Sequence, residues 1–242
     1  MTLPGPPAMM AALAATWPAA ETLASGPFLL RRSPGGGSRV TAATAPPGAA
    51  DLAAALPRAE AQMRAWGQVP IFQIVPDTPG LDALLDAAGY DLKDPTMIYA
   101  APAALLARIE TPRMTGFAHW PPLAIQAEIW AAGGIGPDRQ AVMHRAPDPR
   151  ISLLARDSDQ PAGTAFAAIH DGIAMIHAIE IVPALRRRGN ARRLIARAAA
   201  WALDHGAAHL ALAVTEANAG ARALYAGIGM SPAARYHYRV AP

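Results

Sequence analysis

Two short stretches of this 242-residue chain carry residue types at spacings that suit chemistry. The first reads Ile176-His177-Ala178-Ile179-Glu180-Ile181-Val182-Pro183-Ala184-Leu185-Arg186-Arg187-Arg188-Gly189-Asn190-Ala191. An apolar strand feeds a loop that opens a long helix, and the first N–H groups of a helix have no intrahelical acceptor. The helix dipole adds positive potential at the same place. Gly189 has no side chain to hold an anion off the backbone, Ala191 adds little bulk, and Arg186, Arg187 and Arg188 offer compensating charge. Together these features make a cradle for phosphate. The second stretch, Asn218-Ala219-Gly220-Ala221-Arg222-Ala223-Leu224-Tyr225, opens on a residue suited to N-capping. Tyr225 lies two helical turns further on, on the same face as Asn218. His177 and Glu180 are the titratable side chains of the strand before the loop. Strict alternation puts His177 on the face of Ile179 and Ile181, and Glu180 on the other.

The elements that must position these residues follow from periodicity and turn chemistry. The second half reads as helices at 122–132 and 137–145, then strands at 151–156, 162–169 and 173–182. A helix at 188–203 ends before Gly206, and a strand at 209–215, a helix at 219–226 and a strand at 234–240 complete it. The first half reads as a helix at 8–17, strands at 28–33 and 39–45 joined by Pro34-Gly35-Gly36-Gly37, and a helix at 51–66 containing Pro57. A strand at 69–75, a helix at 81–88, extended chain at 90–101 and a linker at about 102–114 follow.

The same order of elements recurs with a fixed offset. Ile74-Val75-Pro76-Asp77-Thr78 lies over Val214-Thr215-Glu216-Ala217-Asn218, and Gly80, Leu84 and Gly89 then meet Gly220, Leu224 and Gly229 without a gap. This predicts two copies of one α/β unit, residues 1–112 and 113–242. The first copy lacks the chemistry. Tyr225 falls on Leu85, Asn218 on Thr78, and the arginine loop near Pro46–Asp51, which holds no arginine.

Composition removes whole classes of function. No cysteine is present, so disulfides, thiolate metal sites, iron–sulfur clusters and cysteine nucleophiles are out. His205 and His209 are separated by the helix break at Gly206 and have no third ligand, so no metal is expected. The net charge is +3 and the pI near 9.7, yet Lys93 is the only lysine and alanine fills about a quarter of the chain, as a GC-rich coding bias would produce. Nucleic acid is therefore not expected as a partner. No run of strongly apolar residues is long enough to cross a membrane, and prolines interrupt the apolar N-terminus, so a cytoplasmic location, as monomer or homodimer, is the expectation.

The two stretches, in this order and at this separation, resemble the GNAT superfamily of acyl-CoA-dependent N-acyltransferases over about residues 151–240. The resemblance implies a mixed α+β fold, here two tandem units, each with a mostly antiparallel central sheet flanked by helices. It also implies acetyl-CoA as cosubstrate and an amine as acceptor. Arg186, Arg187, Arg188, Gly189, Asn190 and Ala191 match the family's pyrophosphate loop. Ile179, Glu180 and Ile181 match the strand whose backbone pairs with the pantetheine arm, with the N–H of Ile179 polarising the acetyl carbonyl. Asn218 matches the asparagine at the pantetheine end, and Tyr225 the tyrosine that protonates the departing thiolate. A phenol of pKa about 10 is roughly matched to a thiol of about 8.5.

The general base is the open assignment. An acceptor amine must be neutral to attack, which at pH 7 costs ~4.6 kcal/mol for a lysine side chain but only ~1 kcal/mol for an α-amino group. A histidine at the position of His177 is tied to proton removal in the arylalkylamine branch of the family. Glu180 is the second candidate, favoured if a bulge changes the parity of the strand. The glutamate that family members acting on ribosomal protein N-termini carry before the asparagine is replaced by Ala213. His119-Trp120 and Tyr236-His237-Tyr238 either line the acceptor side or pack as ordinary aromatic residues. The first copy then walls the acceptor cleft or completes a sheet or dimer interface. The alternative function is a non-catalytic acyl-CoA-binding regulator; an arginine-rich nucleic-acid module lacks the necessary stacking aromatics.

Overall fold

The computed structural model describes residues 2–112 and 114–242. The first half runs α1 (Pro6–Thr16), β1 (Glu21–Ser25), β2 (Phe28–Arg32), α2 (Leu52–Ala65), β3 (Ile71–Ile74), α3 (Pro79–Ala87), β4 (Asp91–Pro102) and a short α4 (Ala103–Leu106). The second runs β5 (Gly116–His119), α5 (Ala124–Ala132), α6 (Pro137–Arg145), β6 (Arg150–Asp157), β7 (Gln160–His170), β8 (Ile173–Ile181), α7 (Asn190–Asp204), β9 (His209–Thr215), α8 (Ala219–Gly227) and β10 (Ser231–Val240). The boundary expected between 112 and 113 falls at Arg113, outside the described residues.

Most elements form where the pattern put them, but the first hairpin does not. It joins β1 to β2, turning at Gly26 with φ +58°, rather than residues 28–33 to 39–45. Gly35-Gly36-Gly37 instead pass tightly against α6. A Cβ on Gly35 would lie 2.5 Å from the Asp138 carboxylate, and one on Gly36 would lie 2.8 Å from Val142 Cγ2. Residues 38–40 make one 3-10 turn. Pro57 sits inside α2 without ending it.

Eight strands form one sheet in the order β3-β10-β4-β9-β8-β7-β6-β5, mixed and mostly antiparallel; β8 and β9 are the parallel pair. The two final strands are exchanged between the halves: β10 lies between β3 and β4, and β4 between β10 and β9. Met97 faces Val214 and His237 faces Ile74, the same pairing moved by 140 positions along each strand. The helices α3 and α8 also differ by 140, and each is followed by a left-handed glycine, Gly89 at φ +79° and Gly229 at φ +87°.

Two layers cover the sheet. On one face α7 buries Leu194, Ile195, Ala198, Ala199 and Ala202 against Leu153, Ala165, Ile176 and Leu212. Burying side chains of this size contributes about 1.5–3 kcal/mol for each leucine or isoleucine. On the other face α1 and α2 cover one end, where Met9, Leu13 and Met63 meet Phe72 and Tyr238. At the other end Trp17, Trp130, Val142 and Met143 close over Phe166. No helix among the described residues is long and apolar enough to cross a membrane.

Candidate functional site

The parallel pair β8–β9 stays together only through Ile173, Ala174 and Met175, opposite His209, Leu210 and Ala211. Beyond Met175 the strands separate, so peptide groups on the free edge of β8 look into the gap rather than at a partner. Ile179 and Ile181 stand on this part of the strand.

A bulge sets which side chains face which layer. Between the pairs Phe166–His177 and Thr164–Glu180, β8 carries two residues, Ala178 and Ile179, where β7 carries one. Ala178 adopts φ +50°, a left-handed conformation costly for a residue with a Cβ. Its carbonyl accepts from Trp130 Nε1 at 2.8 Å, which ties the bulge to α5. The extra residue breaks the alternation expected for this strand. Ile176, Ile179 and Ile181 pack toward α7. His177 and Ala178 face the opposite layer with Phe166, and Glu180 points toward Gly133 at the end of α5. His177 and Glu180 thus share a face, and Ile179 is on the other.

His177 is 3% exposed and both ring nitrogens are engaged. Arg39 Nη1 donates to Nδ1 at 3.2 Å, so Nε2 carries the proton and donates to Thr16 Oγ1 at 2.9 Å; that hydroxyl donates to Ala12 O. Burial, and then the adjacent Arg39 charge, hold its pKa well below the usual imidazole value. A histidine with no free lone pair and a depressed pKa is a poor proton acceptor. Glu180 has a partly accessible carboxylate, 17% exposed, whose Oε1 accepts from Arg186 Nη2 at 3.1 Å.

The loop after β8 takes the shape of an anion cradle. Arg187 and Gly189 are left-handed, at φ +64° and +83°, and Gly189 sits just before α7. A Cβ on Gly189 would meet nothing within 4 Å, so the space over the helix end is open. The N–H groups of Arg187, Arg188 and Gly189 have no acceptor among the described residues. Arg187 and Arg188 are exposed, whereas Arg186 folds back, its Nε donating to Ile181 O at 3.1 Å. Asn190 is buried. Its Nδ2 donates to Leu185 O and Asp157, and its Oδ1 accepts from Arg193, so the side chain braces the loop and leaves its N–H for a ligand.

Asn218 caps α8 as its type predicts: Oδ1 accepts from Ala221 N–H at 3.0 Å. Tyr225 is 7% exposed and packs on Tyr99 of β4 with ring centroids 6.0 Å apart. Burial pushes its pKa up to about 12, which keeps the phenol protonated through the neutral range.

Behind the gap, on the layer opposite α7, lies a cleft of about 180 Å³. Trp17, Gly36, Gly37 and Arg39 line it from the first half, Ile135, Arg139 and Ala178 from the second, and Asp94, Thr96, Ala213, Thr215, Tyr236 and Tyr238 from the exchanged strands and β9. Tyr236 and Tyr238, two positions apart on β10, stand together here with ring centroids 5.5 Å apart. No local sequence pattern marks Arg39, Asp94, Arg139 or Trp17, because their roles arise from contacts between distant segments. His119 and Trp120 lie elsewhere. His119 Nε2 meets Gln126 Oε1 at 2.6 Å in a network with Ser152 and Thr164, and Trp120 packs on Phe166 and His144.

Residues 113–230 match the family model of the acetyltransferase (GNAT) family. This chain carries a GNAT acetyltransferase domain. The GNAT fold extends through the whole molecule in solved structures. A GCN5-related N-acetyltransferase from Kribbella flavida superposes with a TM-score of 0.76 at 22% identity, over 97% of this chain and 95% of that one. A functionally unknown conserved protein from Staphylococcus epidermidis reaches 0.67 at 10% identity, over 90% and 92%. A tandem GNAT protein from the clavulanic acid biosynthesis pathway reaches 0.61 at 14% identity, over 83% and 74%. No curated protein matches the chain. Within the GNAT domain lie the bulged strand β8, the arginine loop, Asn218 and Tyr225. The strand β4 that packs on Tyr225 comes from outside it.

Proposed function

We propose that the chain is an acetyl-CoA-dependent N-acetyltransferase working by direct attack in a ternary complex. In this reading residues 113–242 are the catalytic copy, and residues 1–112 a degenerate copy that walls the acceptor cleft. The observation that carries it is the arrangement around the β8–β9 gap: an open arginine–glycine helix start and Tyr225 on the α7 side, and a cleft on the other. A thioester threaded through the gap would present its carbonyl to an amine held in the cleft.

The residues present fit the cosubstrate. Free N–H groups at 187–189, the open space over Gly189, and the exposed Arg187 and Arg188 would hold the pyrophosphate, with Ala191 adding no bulk. Ile179 and Ile181 offer backbone groups to the pantetheine arm, and Asn218 lies at its end. Bound acetyl-CoA supplies the activated acetyl group. The Ile179 N–H polarises its carbonyl. The amine nitrogen forms the new C–N bond as the C–S bond breaks, and one proton leaves the nitrogen while another reaches the sulfur. Tyr225 donates the second. Glu180, brought to the acceptor face by the bulge, receives the first through water. His177 takes the role of a positioning residue: neutral and fully bonded, it holds Arg39 at the cleft.

The test is release of CoA from acetyl-CoA on adding amines, followed with a thiol reagent. The chain has no cysteine, so the assay has no background from the protein. Saturable, amine-dependent release supports the reading. Saturable binding of acetyl-CoA without release for any amine would mean an acyl-CoA-binding regulator instead.

A further inference from the structure

The acceptor cleft is not acidic, and this bears on what it takes. Resting on the acetyltransferase reading, we infer that the acceptor is a small amine bearing a carboxylate, of the α-amino-acid class, with Arg39 and Arg139 as its carboxylate site. The charged side chains lining the cleft are these two arginines and Asp94. Neither arginine has a carboxylate within ion-pair distance among the described residues. Arg39 is half-buried, fixed by its bond to His177 Nδ1 and by stacking 5.7 Å over Trp17, which leaves the rest of its planar fork for a ligand. Arg139 lies over Gly37, where a Cβ would come within 3.0 Å of Nη2, so a glycine there lets the guanidinium settle against the cleft wall.

A second observation points to a ligand independently. Tyr238 is 3% exposed, lines this cleft beside Tyr236, and among the described residues its hydroxyl has no partner within hydrogen-bond distance. A buried hydroxyl left unpaired costs free energy, and an acceptor oxygen entering the cleft recovers it. Asp94 supplies the one negative charge. It stands at a bulge of β4 with φ +48° and is exposed, placed to draw the ammonium end of a zwitterion.

Size and protonation narrow the class. The cleft's volume of about 180 Å³ is below the roughly 300 Å³ at which pockets for drug-sized ligands begin. An aminoglycoside and a polyamine, both polycations, meet two cations against one anion. An α-amine also loses its proton at neutral pH more cheaply than a lysine side chain does, its pKa being the lower of the two.

The experiment measures CoA release with L-amino acids, with their decarboxylated amines and with spermidine, for the native chain, Arg139→Gln and Arg39→Lys, beside calorimetric binding of acetyl-CoA. The inference expects amino acids to exceed their decarboxylated amines in kcat/KM by at least about tenfold, and spermidine to be poorest. In Arg139→Gln the KM for the amino acid rises about 10- to 100-fold, with kcat and the KM for acetyl-CoA within about twofold. Preference for decarboxylated amines or spermidine, with acetyl-CoA binding intact, overturns the acceptor class and leaves the acetyltransferase reading in place. An unchanged amino-acid KM in both arginine variants overturns the carboxylate site. Absence of release with every amine, despite saturable acetyl-CoA binding, overturns both readings.

Discussion

The helices α7 and α2 both start from a left-handed residue, Gly189 at φ +83° and Asp51 at φ +58°. Before Gly189 come Arg186, Arg187 and Arg188; before Asp51 come Pro46, Pro47, Gly48, Ala49 and Ala50, with no charge. A hollow of about 300 Å³ adjoins the start of α2, but its only charged lining residue is Asp77. The same contrast continues downstream. Asn218 caps α8, whereas Thr78, 140 positions earlier, bonds back to Val75; Tyr225 corresponds to Leu85, which is fully buried. The two regions share a left-handed helix start, but only the second has cationic side chains before it to hold a phosphate. The scaffold and the chemistry of this unit are therefore separable. A carboxylate at a helix N-terminus favours the helix but repels an anion from the same N–H groups.

Exchanging features between the two regions gives the largest expected effect. Gly189→Asp makes the start of α7 resemble that of α2, and acetyl-CoA binding should weaken at least about 100-fold, since aspartate keeps the left-handed geometry yet repels the pyrophosphate. Calorimetry measures this, with circular dichroism to show an intact fold. Glu180→Gln should lower kcat by about 100- to 1,000-fold with little change in the KM for acetyl-CoA, read from steady-state kinetics. Equal activity would return the base to another group. Tyr225→Phe should lower kcat about 100-fold while leaving the melting temperature within a few degrees, because only the hydroxyl is removed from a packed ring.

The buried histidine gives a pH-dependent difference. His177 has a folded pKa well below its unfolded value of about 6.5. Its contribution to stability is complete above about pH 6.5 and is lost as pH falls from there toward the folded pKa, with a slope of at most ~1.4 kcal/mol per unit. Urea unfolding from pH 7 to 5 should show that loss, and His177→Gln should flatten it. The smallest effect is expected from Asp51→Gly, which should leave acetyl-CoA affinity unchanged; gain of a second binding site would show that charge at Asp51 alone had silenced the first copy.

Much of this was legible beforehand, for identifiable reasons. The elements β9, α8 and β10 follow from short apolar runs bounded by strong turn signals at Gly206, Asn218 and Gly229, and the loop 186–191 has a chemical signature that needs no partner. Three consecutive glycines are a stronger turn signal than Gly26-Pro27, yet the hairpin turns at Gly26, and Gly35 and Gly36 serve close packing on α6, a tertiary demand that composition does not reveal. The side reversal at His177 depends on one extra residue at Ala178, stabilised by a hydrogen bond from Trp130, 48 positions away. Arg39 reaches His177 across 138 positions, and Tyr238 reaches the cleft because β10 is exchanged into the first half. Such contacts are properties of the folded sheet rather than of any local pattern.

The most direct test of the contrast between the two helix starts is the stoichiometry of acetyl-CoA binding to the native chain by calorimetric titration. The account predicts one site per chain. Two sites per chain, or no saturable binding to a folded sample, would contradict it.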